Sequence, residues 1–282
     1  MKFYKIRSYA KINISLGVLG RFYSKNHKIE SLISFISLHD DIFIKKINSK
    51  NHKIVFVGKF SKQISKNNTI YNLLKILDKN KKLKNQKFLI KVNKKIPQRS
   101  GMGGGSMNAA HILKHLLNKK KIKLNSKEIL EISSKIGSDV ILGMKSKISI
   151  LFGNGTIKQI KKNINLFTLL VKPNFGCSTK IIYKGVKNFS NKIFKKNKKV
   201  DLKYKFLLNL KNDLEVPAFK KYPALKELKI FMEKLDNVLF VRMTGSGSTI
   251  IAYFNSKETA LNARKILKKN YKKYWCILSK TI

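Results

Sequence analysis

The residues best suited to chemistry lie between positions 94 and 110, which read K-K-I-P-Q-R-S-G-M-G-G-G-S-M-N-A-A. Gly101, Gly103, Gly104 and Gly105 are followed at once by Ser106 and Asn108. Glycine reaches φ > 0 and has no Cβ, so such a loop can wrap an anion with its backbone N–H groups. Behind it, Ala109, Ile112, Leu113, Leu116 and Leu117 recur at helical spacing, which predicts a helix whose free amides and positive dipole end face the same anion. In front of it, Phe88, Ile90 and Val92 alternate as in a strand that stops before Pro97. Strand, glycine loop, helix is the order that cradles phosphate. A Walker A loop would end in G-K-[ST], whereas Gly105 is followed by Ser106 and Met107. The dinucleotide fingerprint would need a third glycine where Ser106 stands. A Gly/Ser linker is the bland alternative, and the direct passage from strand into amphipathic helix speaks against it.

Other polar positions gain meaning only from the elements that must present them. Residues 3–19 alternate apolar and polar, predicting a half-buried strand, and Lys11 and Asn13, two apart, share one of its faces. Residues 42–47 and 54–57 read as two further strands. Asn68 caps a helix carrying Ile70, Leu73, Leu74 and Leu77. A helix over 125–136, with Ser126 as its cap and Ile129, Leu130 and Ile132 buried, leads to I-G-S-D-V, where Asp139 taken alone would be a turn or capping residue. Residues 166–171 and 250–254 are strands, the second following the short loop Thr244-Gly245-Ser246-Gly247-Ser248, and 258–267 is a helix. That order suggests a ferredoxin-like C-terminal part. Asp213 and Glu215, two apart, do not share a helix face and read as capping and scaffold. The lysine-rich stretch 187–199 reads as a solvated loop.

Composition narrows the class. A chain of 282 residues with 43% hydrophobic content can bury a substantial core. A shift in composition near 158–162 divides it into expected domains 1–160 and 161–282. There is no apolar run of the roughly 18 residues needed to span a bilayer, and no signal-peptide pattern, so a cytoplasmic protein is expected. Cys177 and Cys276 are too few for a disulfide framework and lack metal-ligand spacing. The formal net charge is +48, yet the excess is lysine dispersed along the chain. Specific nucleic-acid readers favour arginine forks in clusters. Non-specific polyanion binding at low salt follows from the charge alone, and no specific nucleic-acid partner is expected.

The glycine loop resembles the P-x-x-x-G-[LM]-G-G-G-S-[SM]-N-A-A signature of the GHMP kinases. Other stretches agree. Ala10–Arg21 is similar to the A-K-[IL]-N-L-x-L-x-V-x-G-[RK]-R opening of the branch that acts on 4-diphosphocytidyl-2-C-methyl-D-erythritol. His27, Ile29 and Ser31 keep the register of its R-x-D-G-Y-H-x-[IL]-x-[ST] string, with Lys25-Asn26 in place of Gly-Tyr. Residues 136–140 resemble [LI]-G-[AS]-D-V, residues 173–183 the P-x-x-x-x-[SP]-T-x-x-[VI]-[YF] string, and residues 243–248 the [MLS]-[TS]-G-[ST]-G-[AS] motif.

The resemblance implies an α+β, two-domain fold, with an N-terminal α/β domain around the glycine loop and a ferredoxin-like C-terminal domain. It implies ATP and Mg²⁺. Pro97, Gln98, Arg99, Ser100, Gly101, Met102, Gly103, Gly104, Gly105, Ser106 and Met107 would form the nucleotide site, with the Ser106 hydroxyl also turned to the metal. Asp139 would be the general base for an alcohol, and Lys11 the cation that holds developing charge. Asn13, His27, Thr179, Tyr183, Gly245, Ser246 and Gly247 would hold a small-molecule substrate, Tyr183 supplying the stacking that Asn26 cannot. Two alternatives stay open at this stage: another GHMP kinase of the homoserine or mevalonate type, and a non-catalytic, basic nucleic-acid-binding protein on the same fold.

Overall fold

The computed structural model describes residues 2–22, 27–196, 200 and 202–282. In chain order the elements are β1 (Tyr4–Asn13), β2 (Gly17–Arg21), β3 (His27–Ile47), β4 (Lys53–Val57), α1 (Thr69–Lys79), β5 (Lys87–Asn93), α2 (Gly104–Asn118), α3 (Ser126–Ile136) and α4 (Val140–Gly143). They continue with β6 (Ser149–Leu151), β7 (Ile157–Gln159), β8 (Phe167–Lys172), α5 (Thr179–Lys184), α6 (Tyr204–Asn209), α7 (Glu215–Lys221) and α8 (Pro223–Glu233). The last are β9 (Phe240–Met243), β10 (Ile250–Phe254), α9 (Lys257–Asn270) and β11 (Trp275–Lys280). The chain forms two compact units that draw on separated stretches. The first gathers Met1–Lys11, Leu38–Gln98 and Gly103–Ser146, and the second Ile12–Ser37, Arg99–Met102 and Lys147–Ile282. Strands β1 and β3 contribute residues to both.

In the first unit the end of β3 pairs antiparallel with β5, from Asp41↔Asn93 to Ile47↔Lys87, and β4 runs parallel to β5. The period-2 side chains Ile42, Ile44, Phe88, Ile90 and Val92 meet Ile70, Leu73, Leu74 and Leu77 of α1 and Ala109, Ile112, Leu113 and Leu116 of α2 in one core. Asn68 caps α1 as expected, accepting from Ile70 N and Tyr71 N, a contact worth about 1 kcal/mol. Helix α3 is capped one residue earlier than expected. Asn125 and Glu128 form a reciprocal capping box that Ser126 does not enter. Its buried apolar face is also narrower. Ile132 is buried, but Leu130 is 55% exposed.

The second unit contains an antiparallel sheet in the order β11-β8-β10-β9. Leu169, Val171, Ile250, Ala252 and Phe254 point from it into a core shared with Leu225, Leu228 and Met232 of α8 and Ala260, Ala263 and Leu267 of α9. The ferredoxin-like expectation is met by this helix-on-antiparallel-sheet layering. The expected single strand over 3–19 is two strands, β1 and β2, and the strand expected from 42 begins at His27, giving one 21-residue strand. The stretch 187–196 is exposed along most of its length, as expected of a solvated loop, but it is fastened at a few points. Glu30 accepts from Ile193 N (2.7 Å) and Phe194 N (3.2 Å), Ser190 N donates to Val18 O, and Phe194 is buried against Phe206. Among the described residues no helix is long and apolar enough to cross a membrane.

Candidate active site

Within the first unit, chemistry gathers at the start of α2. The turn that ends α3, closed by Val140 N donating to Gly137 O (3.0 Å), sets Asp139 just ahead of α4. From β1 comes Lys11, and its Nζ lies 3.1 Å from Asp139 Oδ2. The lysine side chain is 6% exposed and the carboxylate 30%, so the pair sits at a mouth, charged on its buried side and open on the other. Gly103 closes against both. Its φ is +65°, and a Cβ there would stand 3.0 Å from Lys11 Cγ, 3.1 Å from Lys11 Cε and 3.3 Å from Asp139 Oδ2. Only glycine fits this combination of left-handed backbone and close approach.

Gly103 is also the N-cap of α2, and no side chain caps that end. The amides of Gly104, Gly105 and Ser106 have no intrahelical acceptor and are left for an anion. Thr69 Oγ1 donates to Gly105 O at 2.7 Å, tying α1 to the loop. Ser106 is half-buried, and its Oγ would lie 3.3 Å from a Cβ at Gly137. Met102 and Met107 are fully buried, so neither side chain reaches a ligand. Gln98 donates from its amide to Phe60 O (3.2 Å) and Lys62 O (2.7 Å), and so holds a neighbouring turn. Among the described residues no three His, Cys, Asp or Glu gather as metal ligands.

The second unit holds the remaining candidates. Thr244, at the end of β9, accepts from Asn13 N at 3.0 Å and donates from the same hydroxyl to Gly101 O at 3.3 Å. A Cβ at Gly101 (φ +75°) would fall onto the Thr244 carbonyl, and one at Gly245 (φ +54°) would stand 3.0 Å from Gly101 O and 3.4 Å from Asn13 Oδ1. The two glycine loops thus meet backbone to backbone at residues 101 and 244–245. Asn212 fastens the second loop by donating to Met243 O and Gly245 O, both at 2.8 Å. Asn13 Nδ2 donates to Ser31 Oγ at 2.8 Å, and the hydroxyls of Thr179 and Ser246 are 2.9 Å apart. Gly176 packs beside Arg99, where a Cβ would stand 2.6 Å from Arg99 Cβ.

His27 and Tyr183 form a ring pair with centroids 4.8 Å apart and planes tilted by 40°. Burial, and then the positive charge of Arg21, lower the His27 pKa, so the imidazole is neutral at neutral pH. Its Nε2 is buried with no hydrogen-bond partner among the described residues. Asn26 lies outside the described residues.

Comparison with known proteins decides the family. Residues 68–151 match the GHMP kinases N terminal domain, and residues 201–273 match the GHMP kinases C terminal family. A 4-diphosphocytidyl-2-C-methyl-D-erythritol kinase of Pelagibacter ubique is 55% identical over 282 residues, covering 100% of both chains. One from Petrotoga mobilis is 33% identical over 87% of this chain and 96% of its own. The chain belongs to this kinase family. It is therefore a small-molecule kinase of the GHMP class. Its fold agrees with a crystal structure of 4-(cytidine 5'-diphospho)-2C-methyl-D-erythritol kinase, with a TM-score of 0.78 at 22% identity over 98% of this chain and 99% of the other. The homoserine kinase of Cytophaga hutchinsonii follows the same fold with a TM-score of 0.69 at 15% identity, over 100% of this chain and 95% of that one.

Several residues that build the site carry little signal in the sequence. Thr244 reads as one more small residue beside a glycine, and Thr69 as a helix start. Asn212 stands in the N-D-L-E string, which marks scaffold without saying what is held. Asp213 Oδ2 accepts from Val18 N and Glu215 Oε1 from Met243 N, both at 2.7 Å, in keeping with their expected scaffold role.

Proposed function

We propose that the chain transfers the γ-phosphoryl group of ATP to the 2-hydroxyl of 4-diphosphocytidyl-2-C-methyl-D-erythritol, with Asp139 handling the hydroxyl proton and Lys11 holding negative charge on the attacking oxygen. The observation that carries this reading is the Lys11–Asp139 pair, 3.1 Å apart and pressed against Gly103, where the phosphate loop enters α2. A carboxylate and a buried ammonium at the mouth of an anion-binding helix are the parts that phosphoryl transfer to an alcohol requires. As the hydroxyl oxygen bonds to the γ-phosphorus, the bond from that phosphorus to the bridging oxygen breaks, ADP leaves, and the hydroxyl proton passes to the Asp139 carboxylate.

The loop residues fit a nucleotide triphosphate. The uncapped amides of Gly104, Gly105 and Ser106 suit its phosphate oxygens. Mg²⁺ fits as well, since it keeps phosphate and water ligands and needs few protein oxygens. Ser106 would offer its hydroxyl to the ion, whose charge offsets that of the phosphates. On the substrate side, Asn13, Thr179 and the 245–247 loop would line the diphosphate and polyol. Neutral His27, with Nε2 unsatisfied, can donate from one ring nitrogen and accept at the other, which suits the edge of a cytosine. Tyr183 would stack on the base.

The test is ATP turnover by the purified chain with Mg²⁺, comparing the cytidylyl alcohol with homoserine, mevalonate and galactose. ADP release with the cytidylyl substrate alone is expected. Turnover of another alcohol in preference would overturn the substrate, and none on any would overturn the kinase reading.

A further inference from the structure

We propose that Asp40 is the positioning residue that sets the shape of the phosphate loop, by holding both of its ends with one carboxylate. Asp40 lies in β3 and is fully buried. Its Oδ1 accepts from Lys95 N (2.7 Å) and Ile96 N (2.9 Å), the residues that lead into the loop. Its Oδ2 is paired with the ammonium of Lys94 and accepts from Asn108 Nδ2 (3.1 Å), on the first turns of α2, where the loop ends. The four donors therefore come from the strand end on one side of the loop and the helix start on the other.

A buried carboxylate is tolerated only when it is paired and hydrogen-bonded, and charge-assisted bonds are the strong and directional ones. Here all four donors belong to the elements that frame the loop. Asn108 serves this carboxylate specifically, for its own Oδ1 is buried and has no partner among the described residues. The ends so fixed are in direct contact. A Cβ at Gly104 would stand 3.0 Å from Ile96 Cγ2 and 3.4 Å from Lys94 Nζ. Letting Lys94–Ile96 drift from α2 would change the spacing of the very amides that face the anion. Both ammonium groups are paired, Lys94 with the sealed Asp40 and Lys11 with the part-exposed Asp139, and only the second pair is open to a ligand.

This inference rests on the reading of the loop as the ATP site. Its test is steady-state kinetics of the full chain, with ATP and the cytidylyl alcohol varied in turn, and thermal melting alongside. The variants are Asp40→Asn, Asn108→Ala and the exchanged pair Asp40→Asn/Asn108→Asp, which returns one carboxylate and one amide to the same contact. Asn108→Ala, the loss of one charge-assisted hydrogen bond, is expected to raise KM for ATP by about tenfold or more, and Asp40→Asn, which also removes the ion pair with Lys94, by more than that, with KM for the alcohol changed by less than about twofold. The exchanged pair restores the contact between positions 40 and 108 and should be less impaired than the two single losses combined, since partners in contact couple. A merely stabilising role would lower the melting temperature and leave both KM values alone, and that result overturns the proposal. So does an equal rise in both KM values, or a double variant worse than the sum of the singles. Should Asp40→Asn fail to fold, Asn108→Ala decides, because it leaves the carboxylate and three of its donors in place. A wild-type chain that turns over no ATP would remove the underlying reading, and this inference with it.

Discussion

Gly103→Ala tests the geometry at the centre of the site with a single methyl group. The backbone at Gly103 is left-handed, with φ +65° and ψ +17°, which costs an L-residue roughly 1–2 kcal/mol. The added Cβ would lie 3.0 and 3.1 Å from the Lys11 stem and 3.3 Å from Asp139 Oδ2, whereas ordinary carbon contacts lie at about 3.5–4.0 Å. The methyl must push the lysine, the carboxylate, or both, by about half an ångström or more. Gly155→Ala is the control. Its φ is +84° and nothing lies within 4 Å of the new Cβ, so it registers the backbone cost without the crowding.

Both variants should lose the backbone cost, roughly 1–2 kcal/mol, with Gly103→Ala losing more through its crowding, read by denaturant or thermal unfolding. Only Gly103→Ala should lose rate. A misplacement on the order of 1 Å at a reacting centre costs on the order of 100-fold, so kcat should fall by about that factor while the chain stays folded at assay temperature. Wild-type kcat in folded Gly103→Ala would refute the argument that the Lys11–Asp139 spacing sets the rate. A raised KM for ATP at unchanged kcat would refute it too, placing the methyl against the nucleotide instead.

Asp139→Asn should keep the fold and lower kcat by roughly 100-fold to 10,000-fold, the usual worth of a positioned acid–base group; a near wild-type rate would remove Asp139 from proton handling. Tyr183→Ala should raise KM for the cytidylyl substrate by about tenfold or more, from a stacking contact worth ~1–3 kcal/mol, and equal effects on ATP would make the tyrosine structural only. Asn212→Ala should destabilise the chain by about 1–3 kcal/mol, since the Met243 and Gly245 carbonyls would lose a buried donor; chemical denaturation measures it. Burial lowers the pKa of His27, His52, His111 and His115 below the ordinary 6.5. The unfolded chain therefore binds more protons as pH falls through that value, and stability should drop with it. Glu215, raised by burial, opposes this further down, so melting at about pH 7.5 and pH 6 is the comparison to make. A flat or rising melting temperature over that interval would contradict the assignment.

What the sequence made legible was local in the chain. The glycine loop could be read because its strand, its glycines and its helix are consecutive, and Lys11 and Asn13 because strand period places them on one face. The Lys11–Asp139 contact followed from resemblance to a family and not from spacing, since no periodicity links β1 to the turn after α3. The capping box on α3 was written in Asn125 and Glu128, yet the neighbouring serine offers an equally good cap in isolation. The fastening of residues 187–196 was hidden for another reason. Lysine dominates that stretch, and composition gives no weight to one phenylalanine whose amide meets a glutamate more than a hundred residues earlier.

The acidic residues show where the limit lies. In a chain with 14 acids against 62 bases, rarity by itself draws the eye to any carboxylate, Asp139 among them. That scarcity applies equally to Asp40, which holds four donors at the phosphate loop, to Glu30 on the amides of Ile193 and Phe194, to Asp213 on Val18 N, and to Glu215 on Met243 N. Each of these sits where losing its charge would leave backbone amides or an ammonium buried without a partner, a cost no surface lysine shares. Scarcity therefore selects for acids that hold something, and it does not separate a carboxylate that holds the chain from one that meets a substrate. Exposure does: Asp40 is sealed, while Asp139 keeps 30% of its side chain open beside a buried cation. That difference is a property of three-dimensional packing, and no residue near either position in the sequence records it.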